Sequence, residues 1–175
     1  MILAIDPGLA NIGFAIIDNH NEKIILTKYL QTTSDDSTIE RINQITSLVS
    51  SYIANYNIQH IVLEELYSFG KKVYLLQVSQ VIGAISQLSI QSNIPLHRVN
   101  PSHMKKIITD NGRAKKDEIL ESIIDILPDS QYNQLINAEN HEIDAIGIGI
   151  TYVRDFVNPD FMKKKKEKKK MTLFA

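Results

Sequence analysis

The chain of 175 residues contains no cysteine. This absence excludes a disulfide framework, a thiolate metal site and catalysis by a cysteine nucleophile. A metal ion would have to be bound by oxygen or imidazole ligands, which suit magnesium, manganese or zinc. The length fits one domain, and the hydrophobic share of 43% is enough for an ordinary globular core.

The chain also lacks the features of a secreted or membrane protein. Its N-terminus, MILAIDPGLANIG, has no basic region ahead of the first acid, so it does not predict a signal peptide. No unbroken apolar run approaches the roughly 20 residues needed to span a bilayer. We therefore expect a cytoplasmic protein with no membrane partner.

Positive charge is scarce outside one short segment. Residues 163–170 hold seven Lys and one Glu, which leaves 12 basic and 19 acidic residues in the rest of the chain. This distribution counts against a uniformly basic DNA-binding body but allows a local basic groove. We expect one folded domain over residues 1–158 and a flexible, lysine-rich tail over residues 159–175.

Hydrophobic periodicity predicts the element order βββαβαβ followed by helices. Strands are predicted at 2–6, 13–18, 24–32, 58–65 and 95–99, and helices after Ser37, at about 71–92, from Pro101 to Asn111, at 116–127 and at 141–157. Short turns join the first three strands, which indicates an antiparallel meander. The whole order predicts an α/β fold with a five-stranded mixed sheet, three strands antiparallel and two parallel, flanked by helices.

The helix predicted at about 71–92 has an apolar side at helical spacing. Its members are Val73, Leu76, Val81, Ile85 and Leu88.

Four glycines stand at positions where a side chain would be expected to interfere. Gly8 and Gly13 suit either a close approach of the backbone or a turn with positive φ. Gly147 and Gly149 lie inside the last helix at a cost of roughly 1 kcal/mol each relative to Ala. They indicate that this helix packs closely on the sheet.

Acidic side chains stand at the ends of two predicted strands. Asp6 ends the first strand and Glu64 lies near the end of the fourth. If these strands are parallel neighbours, both carboxylates emerge at the same edge of the sheet. His141 and Asp144 are three residues apart, so they share one face of the last helix. Together the four side chains would form an oxygen-rich pocket suited to two divalent ions and phosphodiester hydrolysis.

Each of these residues also has an ordinary structural interpretation. An Asp at a strand end is most often a turn or cap residue. Asp144 in the first turn of a helix suits the helix dipole without any metal, and His141 suits a helix start. Glu64 and Glu65 are adjacent in a strand, so at most one of them faces the pocket.

Four segments of the chain resemble the RuvC family of Holliday-junction resolvases, in the family's order and spacing. They are IDPGLANIGFAII, VLEELY, NPSHMKKIITDNGRAKKDEI and HEIDAIGIGIT, and the resemblance extends from Met1 to about Phe156. It implies a ribonuclease H-like fold. It also implies a metal-dependent endonuclease that acts as a homodimer and resolves four-way DNA junctions in recombination and repair.

The resemblance places Asp6, Glu64, His141 and Asp144 on the family's catalytic metal-binding positions. It implies two Mg²⁺ ions per site, with Mn²⁺ able to substitute. Many members carry Asp where this chain has His141, which leaves the metal preference open. Lys105 and Lys116 match the family's two functional lysines, which would stabilise transition-state charge or hold the DNA backbone.

The resemblance also implies residues that contact DNA. Tyr67 falls on the family's aromatic position that stacks against bases, an interaction worth about 1–3 kcal/mol per base. Its alternative is a tyrosine packed at a helix entry. Basic residues around the site are expected to contact phosphates: Lys71, Lys72, Lys105, Arg113, Lys115 and Lys116. Their alternative is a solvated helix face.

Three other functions stay open at this point. The first strand is also typical of actin and sugar-kinase ATPases, but those proteins clamp a nucleotide between two such domains and this chain holds one. A non-cleaving junction-binding module is a second alternative, although all four ligand positions carry competent ligands. A nuclease of the same family with broader branched-DNA substrates is the third.

The C-terminal tail lies beyond the resemblance. Its lysines suggest salt-dependent contacts with DNA phosphates. Residues 171–175, MTLFA, resemble the short apolar peptides by which repair proteins dock on the sliding clamp, without the usual Gln. The alternative is that they pack on their own domain or across the dimer. Branch-migration machinery is a further expected partner.

Overall fold

The structure of the chain, a computed structural model, describes residues 1–66 and 72–159. Two residues expected to bind DNA, Tyr67 and Lys71, lie outside the described residues, as do residues 160–175 of the predicted tail.

Five strands form one mixed sheet, as predicted. They are β1 (Ile2–Asp6), β2 (Asn11–Ile17), β3 (Ile24–Gln31), β4 (His60–Glu64) and β5 (Leu96–Val99). Their order across the sheet is β3-β2-β1-β4-β5. The pairs β1–β2 and β2–β3 are antiparallel, whereas β1–β4 and β4–β5 are parallel. Strand β2 begins two residues earlier than predicted, because Asn11 already pairs with Gln31.

Helices cover both faces of the sheet. They are α1 (Thr38–Asn55), α2 (Lys72–Gln91), α3 (Pro101–Thr109), α4 (Lys116–Ile126), α5 (Tyr132–Ile136) and α6 (Asn140–Tyr152). Ser37 caps α1 in a capping box with Glu40, which confirms the predicted helix start. The short helix α5 was not predicted. The last helix, predicted to run to residue 157, changes after Tyr152 into a π-helical turn over Val153–Val157.

Alternate residues of the central strand β1 face opposite layers. Ile2 and Ala4 pack against the layer that contains α3, α4 and α6, whereas Leu3 and Ile5 pack against α1 and α2. Both faces are buried, which explains the continuous apolar run. Because side chains alternate along a strand, Asp6 follows Ala4 onto the α6 face. Glu64 follows Val62 onto the same face of β4.

Helix α6 packs closely on the sheet at Gly149, as predicted. Gly147 instead faces α3, since a Cβ built on it would stand 2.8 Å from the sulfur of Met104, so the prediction that this glycine packs on the sheet is wrong. A Cβ built on Gly149 would stand 3.0 Å from the Cβ of Ala4. A Cβ built on Gly13, in β2, would overlap the backbone carbonyl of His141 at the start of α6. No described glycine has a positive φ. The close backbone approach is therefore the correct explanation for Gly13, and the alternative of a positive-φ turn is wrong.

The predicted apolar side of α2 is only partly buried. Val81 and Ile85 are fully buried, but Val73 and Leu76 are 67% and 66% exposed. The residues of this helix are apolar on more than one face, and only the face centred on Val81 and Ile85 packs against the sheet and α1. The predicted apolar side therefore extends beyond the buried face, and Val73 and Leu76 belong to its exposed part.

Helix α2 is apolar on average although it contains no unbroken apolar run. Residues Val73–Gln91 are long and apolar enough to cross a membrane by length and composition, with a mean hydropathy of 1.4. The sequence shows no unbroken run because Gln and Ser are interspersed among the apolar residues. In this fold, however, α2 connects the adjacent parallel strands β4 and β5 and packs on their sheet.

The contact between Gly13 and His141 predicts a specific mutational effect. Gly13→Ala should lower the free energy of unfolding by about 1–3 kcal/mol, because the added methyl group meets backbone that cannot rotate away. Urea denaturation followed by circular dichroism measures this change. The exposed Lys28→Ala, in the neighbouring strand, should change stability by less than about 0.5 kcal/mol. A Gly13→Ala variant as stable as the parent protein would contradict the close packing.

Candidate active site

The sheet register brings the two predicted strand-end acids together. Ile5 pairs with Leu63 in the parallel ladder of β1 and β4, so Asp6 and Glu64 stand at the next step of the register. Both lie on the α6 face. On the other side of β1, Asp6 pairs with Gly13, and Gly13 pairs with Tyr29 of β3. One row across the sheet therefore contains Tyr29, Gly13, Asp6 and Glu64.

His141 lies above this row and contacts Asp6. Its Nδ1 lies 2.6 Å from Oδ2 of Asp6, and its ring stacks on Tyr29 with a centroid separation of 6.0 Å. Tyr29 is itself held by a hydrogen bond from its hydroxyl to Asn11. The hydrogen bond with Asp6 raises the pKa of His141. His141 is thus oriented from two sides by residues of the sheet.

Glu64 and Asp144 complete a crowded acidic cluster. Burial and the nearby charges of Asp6 and Asp144 raise the pKa of Glu64 to about 8, against the weaker opposing effect of Lys105. Burial and then Asp6 raise the pKa of Asp144. The Nζ of Lys116 lies 3.5 Å from Oδ2 of Asp144 and opposes that rise. The two lysines therefore offset only part of the repulsion among the three acids.

The donor set of the cluster fits a divalent cation. Three carboxylates and one imidazole are competent ligands, and a cation among them would relieve the repulsion that raises the pKa of Glu64. Within residues 1–66 and 72–159, no group of three or more His, Asp or Glu side chains already converges at metal-binding distances. Asp6 contacts His141 and Asp144 contacts Lys116 through carboxylate oxygens. A bound metal ion would take these oxygens as ligands and replace both contacts.

Two of the predicted DNA-contacting residues, Lys105 and Lys116, lie beside this cluster. Lys105, in α3, is close enough to lower the pKa of Glu64. Lys116 begins α4 and is 58% exposed at its side chain. Arg113 and Lys115 precede it and are exposed. Lys72 begins α2, and its side chain lies outside the described residues.

Two tyrosines near the cluster were not identified from the sequence. Tyr29 stacks on His141, and nothing in the strand sequence distinguishes it from an ordinary sheet aromatic. The pKa of Tyr74, in α2, is raised by burial and then by the charges of Asp6 and Glu64. A tyrosine in an apolar helix is typical of core packing, so the sequence did not indicate that Tyr74 lies near the acids.

The raised pKa of Glu64 predicts how the metal-free protein responds to pH. Glu64 keeps its proton in the folded state up to about pH 8, but the unfolded chain releases it above about 4.5. The unfolded state therefore binds fewer protons between these values, and stability falls as pH rises through this window. Glu64→Gln should remove this contribution and stabilise the protein at pH 8 by on the order of 1–3 kcal/mol.

Thermal unfolding in EDTA between pH 5 and pH 8 tests this expectation. Glu65→Gln, on the neighbouring residue of the opposite face, should keep the pH dependence of the parent protein. Identical pH dependence in the parent and in Glu64→Gln would show that Glu64 is not held in a repulsive environment.

Comparison with solved structures supports the fold. Thermus thermophilus RuvC in complex with Holliday junction substrate superposes with a TM-score of 0.76 at 19% identity, covering 86% of this chain and 91% of that one. Fowlpox virus resolvase, solved with substrate Holliday junction DNA, superposes with a TM-score of 0.62 at 18% identity, covering 89% and 100%. The predicted ribonuclease H-like architecture is confirmed.

Sequence comparison identifies the family. Crossover junction endodeoxyribonuclease RuvC of Rickettsia bellii (strain OSU 85-389) is 28% identical over 153 residues, covering 86% of this chain and 95% of the relative. The family profile described as crossover junction endodeoxyribonuclease RuvC matches residues 2–152. This chain belongs to the RuvC family.

Proposed function

We propose that this chain is an endonuclease that resolves four-way (Holliday) DNA junctions by metal-assisted hydrolysis of phosphodiester bonds. The observation that carries the proposal is the cluster of Asp6, Glu64, His141 and Asp144 within a chain that matches the RuvC family over residues 2–152. Its relatives are named crossover junction endodeoxyribonucleases, and two structures of the same fold were solved with Holliday junction DNA. In a bacterium, this activity would be cytoplasmic.

Nucleases of this family depend on divalent metal ions. We propose that the ion here is Mg²⁺, that two ions bind per site and that Mn²⁺ substitutes. Asp6, Glu64, His141 and Asp144 would hold them. When bound, such ions supply an activated water and stabilise charge on the leaving oxygen. The imidazole of His141 adds a nitrogen ligand, which favours Mn²⁺ or Zn²⁺ more than an all-carboxylate site would.

The chain's own residues orient the site and hold the substrate. Asp6 and Tyr29 fix the ring of His141, which limits the positions its nitrogens can take. Lys105 and Lys116 place positive charge beside the acids, where a scissile phosphate would otherwise be repelled. Arg113 and Lys115 extend this charge along the surface. Tyr67, Lys71 and Lys72 remain proposed DNA contacts on the strength of the sequence.

We further propose that the protein is a homodimer that associates through α2. Paired cleavage of a symmetric junction requires two active sites, which a two-fold dimer supplies. The exposed face of α2 carries Val73, Leu76 and Ile90, which are 66–72% exposed. Gly83 lies on the same face with no atom of this chain within 4 Å of a built Cβ. A glycine there costs roughly 1 kcal/mol in the isolated helix, a cost explained by close packing against a second copy.

The remaining proposals concern the tail and rest on the sequence. We place the nuclease domain at residues 1–158 and a flexible tail at residues 159–175. Residues 171–175 would dock on a sliding clamp, and branch-migration machinery would be a second partner. The broader branched-DNA nuclease and the non-cleaving junction-binding module are the alternatives that a comparison of junction, flap, fork and linear duplex substrates would detect.

Conservative replacement of the acids should separate catalysis from folding. Asp6→Asn, Glu64→Gln and Asp144→Asn should each slow cleavage of a synthetic four-way junction in Mg²⁺ by about 100-fold or more, because an amide is a poor metal ligand. Junction binding in a gel-shift assay should persist, since the lysines that contact phosphates are intact.

Glu65→Gln is the matched control for these variants, because Glu65 is exposed and follows β4 on the opposite face. It should cleave at the parent rate. Parent-level cleavage by any of the three replaced acids would remove that residue from the proposed site.

The dimer proposal predicts which surface substitutions dissociate the protein. Leu76→Glu and Gly83→Leu should yield monomers in sedimentation equilibrium, because a charge or a bulky side chain prevents the α2 faces from meeting. Ile136→Glu, at an exposed apolar position of α5 on the other side of the sheet, should leave the dimer intact. Persistent dimers in both α2 variants would place the interface elsewhere.

A further inference from the structure

Three side chains outside the predicted catalytic site bring their polar atoms together. The Nδ1 of His60 lies 3.3 Å from Nε2 of His97, and the hydroxyl oxygen of Tyr152 lies 3.2 Å and 3.0 Å from these two nitrogens. The three atoms therefore form a nearly equilateral triangle.

This triangle lies at the opposite end of the strands from the acids. His60 begins β4, which ends at Glu64, so the two are separated by about 13 Å of strand. His97 pairs with Val62 and shares the α6 face with it. Helix α6 starts near Asp6 with His141 and ends with Tyr152. No residue is common to the two clusters.

The spacing of the three atoms matches one face of a tetrahedral metal site. With metal–nitrogen bonds of about 2.0–2.1 Å, two ligand atoms of a tetrahedral zinc ion lie about 3.3–3.4 Å apart. The observed separations of 3.0–3.3 Å are close to this value. Small movements of the side chains would place an ion at equal distance from all three, with a fourth position open to water.

The environment keeps the two imidazoles in the form that binds metal. Burial lowers the pKa of His60, and His97 and the N-terminal ammonium of Met1 lower it further. Burial also lowers the pKa of His97 and raises that of Tyr152. The imidazoles are therefore neutral near pH 7 and offer lone pairs, while the phenol would release its proton to solvent when a cation binds.

The N-terminal ammonium of Met1 is close enough to lower the pKa of His60. It is held by the carbonyl of Asn57 and the side chain of Gln59. Phe156 stacks on Tyr152 with a centroid separation of 5.1 Å. Two nitrogens and one phenolate form a donor set that prefers borderline ions such as Zn²⁺ or Co²⁺ to Mg²⁺.

A hydrogen-bonded trio is the competing explanation. The phenol can donate to one imidazole and accept from the N–H of the other, which accounts for two of the three contacts. The third contact, 3.3 Å between the two nitrogens, is then a van der Waals contact without a proton between the atoms. The two explanations differ in whether the three atoms bind a divalent ion, which zinc binding measures. A shared metal ion accounts for all three separations together.

We propose that His60, His97 and Tyr152 form a second metal site that binds one borderline divalent ion, Zn²⁺ or a close analogue. The ion would tie the starts of β4 and β5 to the end of α6. No residue of the predicted catalytic site is among these three ligands.

Zinc binding to the full-length, untagged chain tests the proposal. Asp6→Asn/Asp144→Asn serves as background, so that the predicted catalytic site contributes little. Equilibrium dialysis should give one Zn²⁺ per chain, with a rise in the thermal midpoint. Adding His97→Ala should weaken binding by about 100-fold, and adding Tyr152→Phe by about 10-fold. Adding His20→Ala, at an exposed histidine of the β2–β3 turn, should change nothing.

Co²⁺ provides a second readout that does not depend on stability. Four-coordinate Co²⁺ absorbs visible light much more strongly than six-coordinate Co²⁺, so the background protein should develop a strong band that His97→Ala removes. In the chain with its acids intact, His97→Ala should keep Mg²⁺-dependent junction cleavage. The proposal is overturned if the background binds no Zn²⁺, or if His97→Ala binds it equally well. Unchanged binding in Tyr152→Phe would overturn the phenolate ligand.

Discussion

The contact between the backbone of His141 and Gly13 determines the geometry of the predicted active site. Gly13 pairs with Asp6, and the absence of a side chain there lets the start of α6 rest directly on β2. The ring of His141 can then reach the carboxylate of Asp6. A one-residue shift in the register of β1 would turn Asp6 to the other face of the sheet and abolish this arrangement. The same few backbone atoms therefore determine how α6 packs on β2 and where His141 lies in the predicted active site.

The cluster that results is electrostatically unfavourable without a cation. Glu64 and Asp144 are both brought close to Asp6 in a partly buried place, and their pKa values rise in consequence. Lys105 and Lys116 reduce the repulsion but do not remove it. Repulsion among carboxylates at one edge of a sheet lowers the stability of the folded domain and is typical of a binding site for positive ions. Lys105 and Lys116, two of the basic residues expected to meet phosphates, lie beside the same acids.

The sequence predicted the sheet and the positions of the acids because these follow from local patterns. Alternation placed Asp6 and Glu64 on one face once β1 and β4 were neighbours, and Ser37, as an N-cap residue, marked the start of α1. The stacking of Tyr29 on His141 was not predictable, because it depends on a register between strands and a helix far away in the chain. The exposed face of α2 was missed because an apolar pattern does not say which of two apolar faces is buried.

The central claim is that Asp6, Glu64, His141 and Asp144 bind a divalent ion as one site. Pulsed electron paramagnetic resonance of bound Mn²⁺ tests it directly, because a nitrogen ligand modulates the electron spin echo and an oxygen ligand does not. The measurement uses the His97→Ala variant, which lacks the second proposed metal site. This variant should show nitrogen modulation, and adding His141→Asp should retain Mn²⁺ while losing that modulation. Mn²⁺ bound without nitrogen modulation in His97→Ala, or modulation unchanged after His141→Asp is added, would contradict the account.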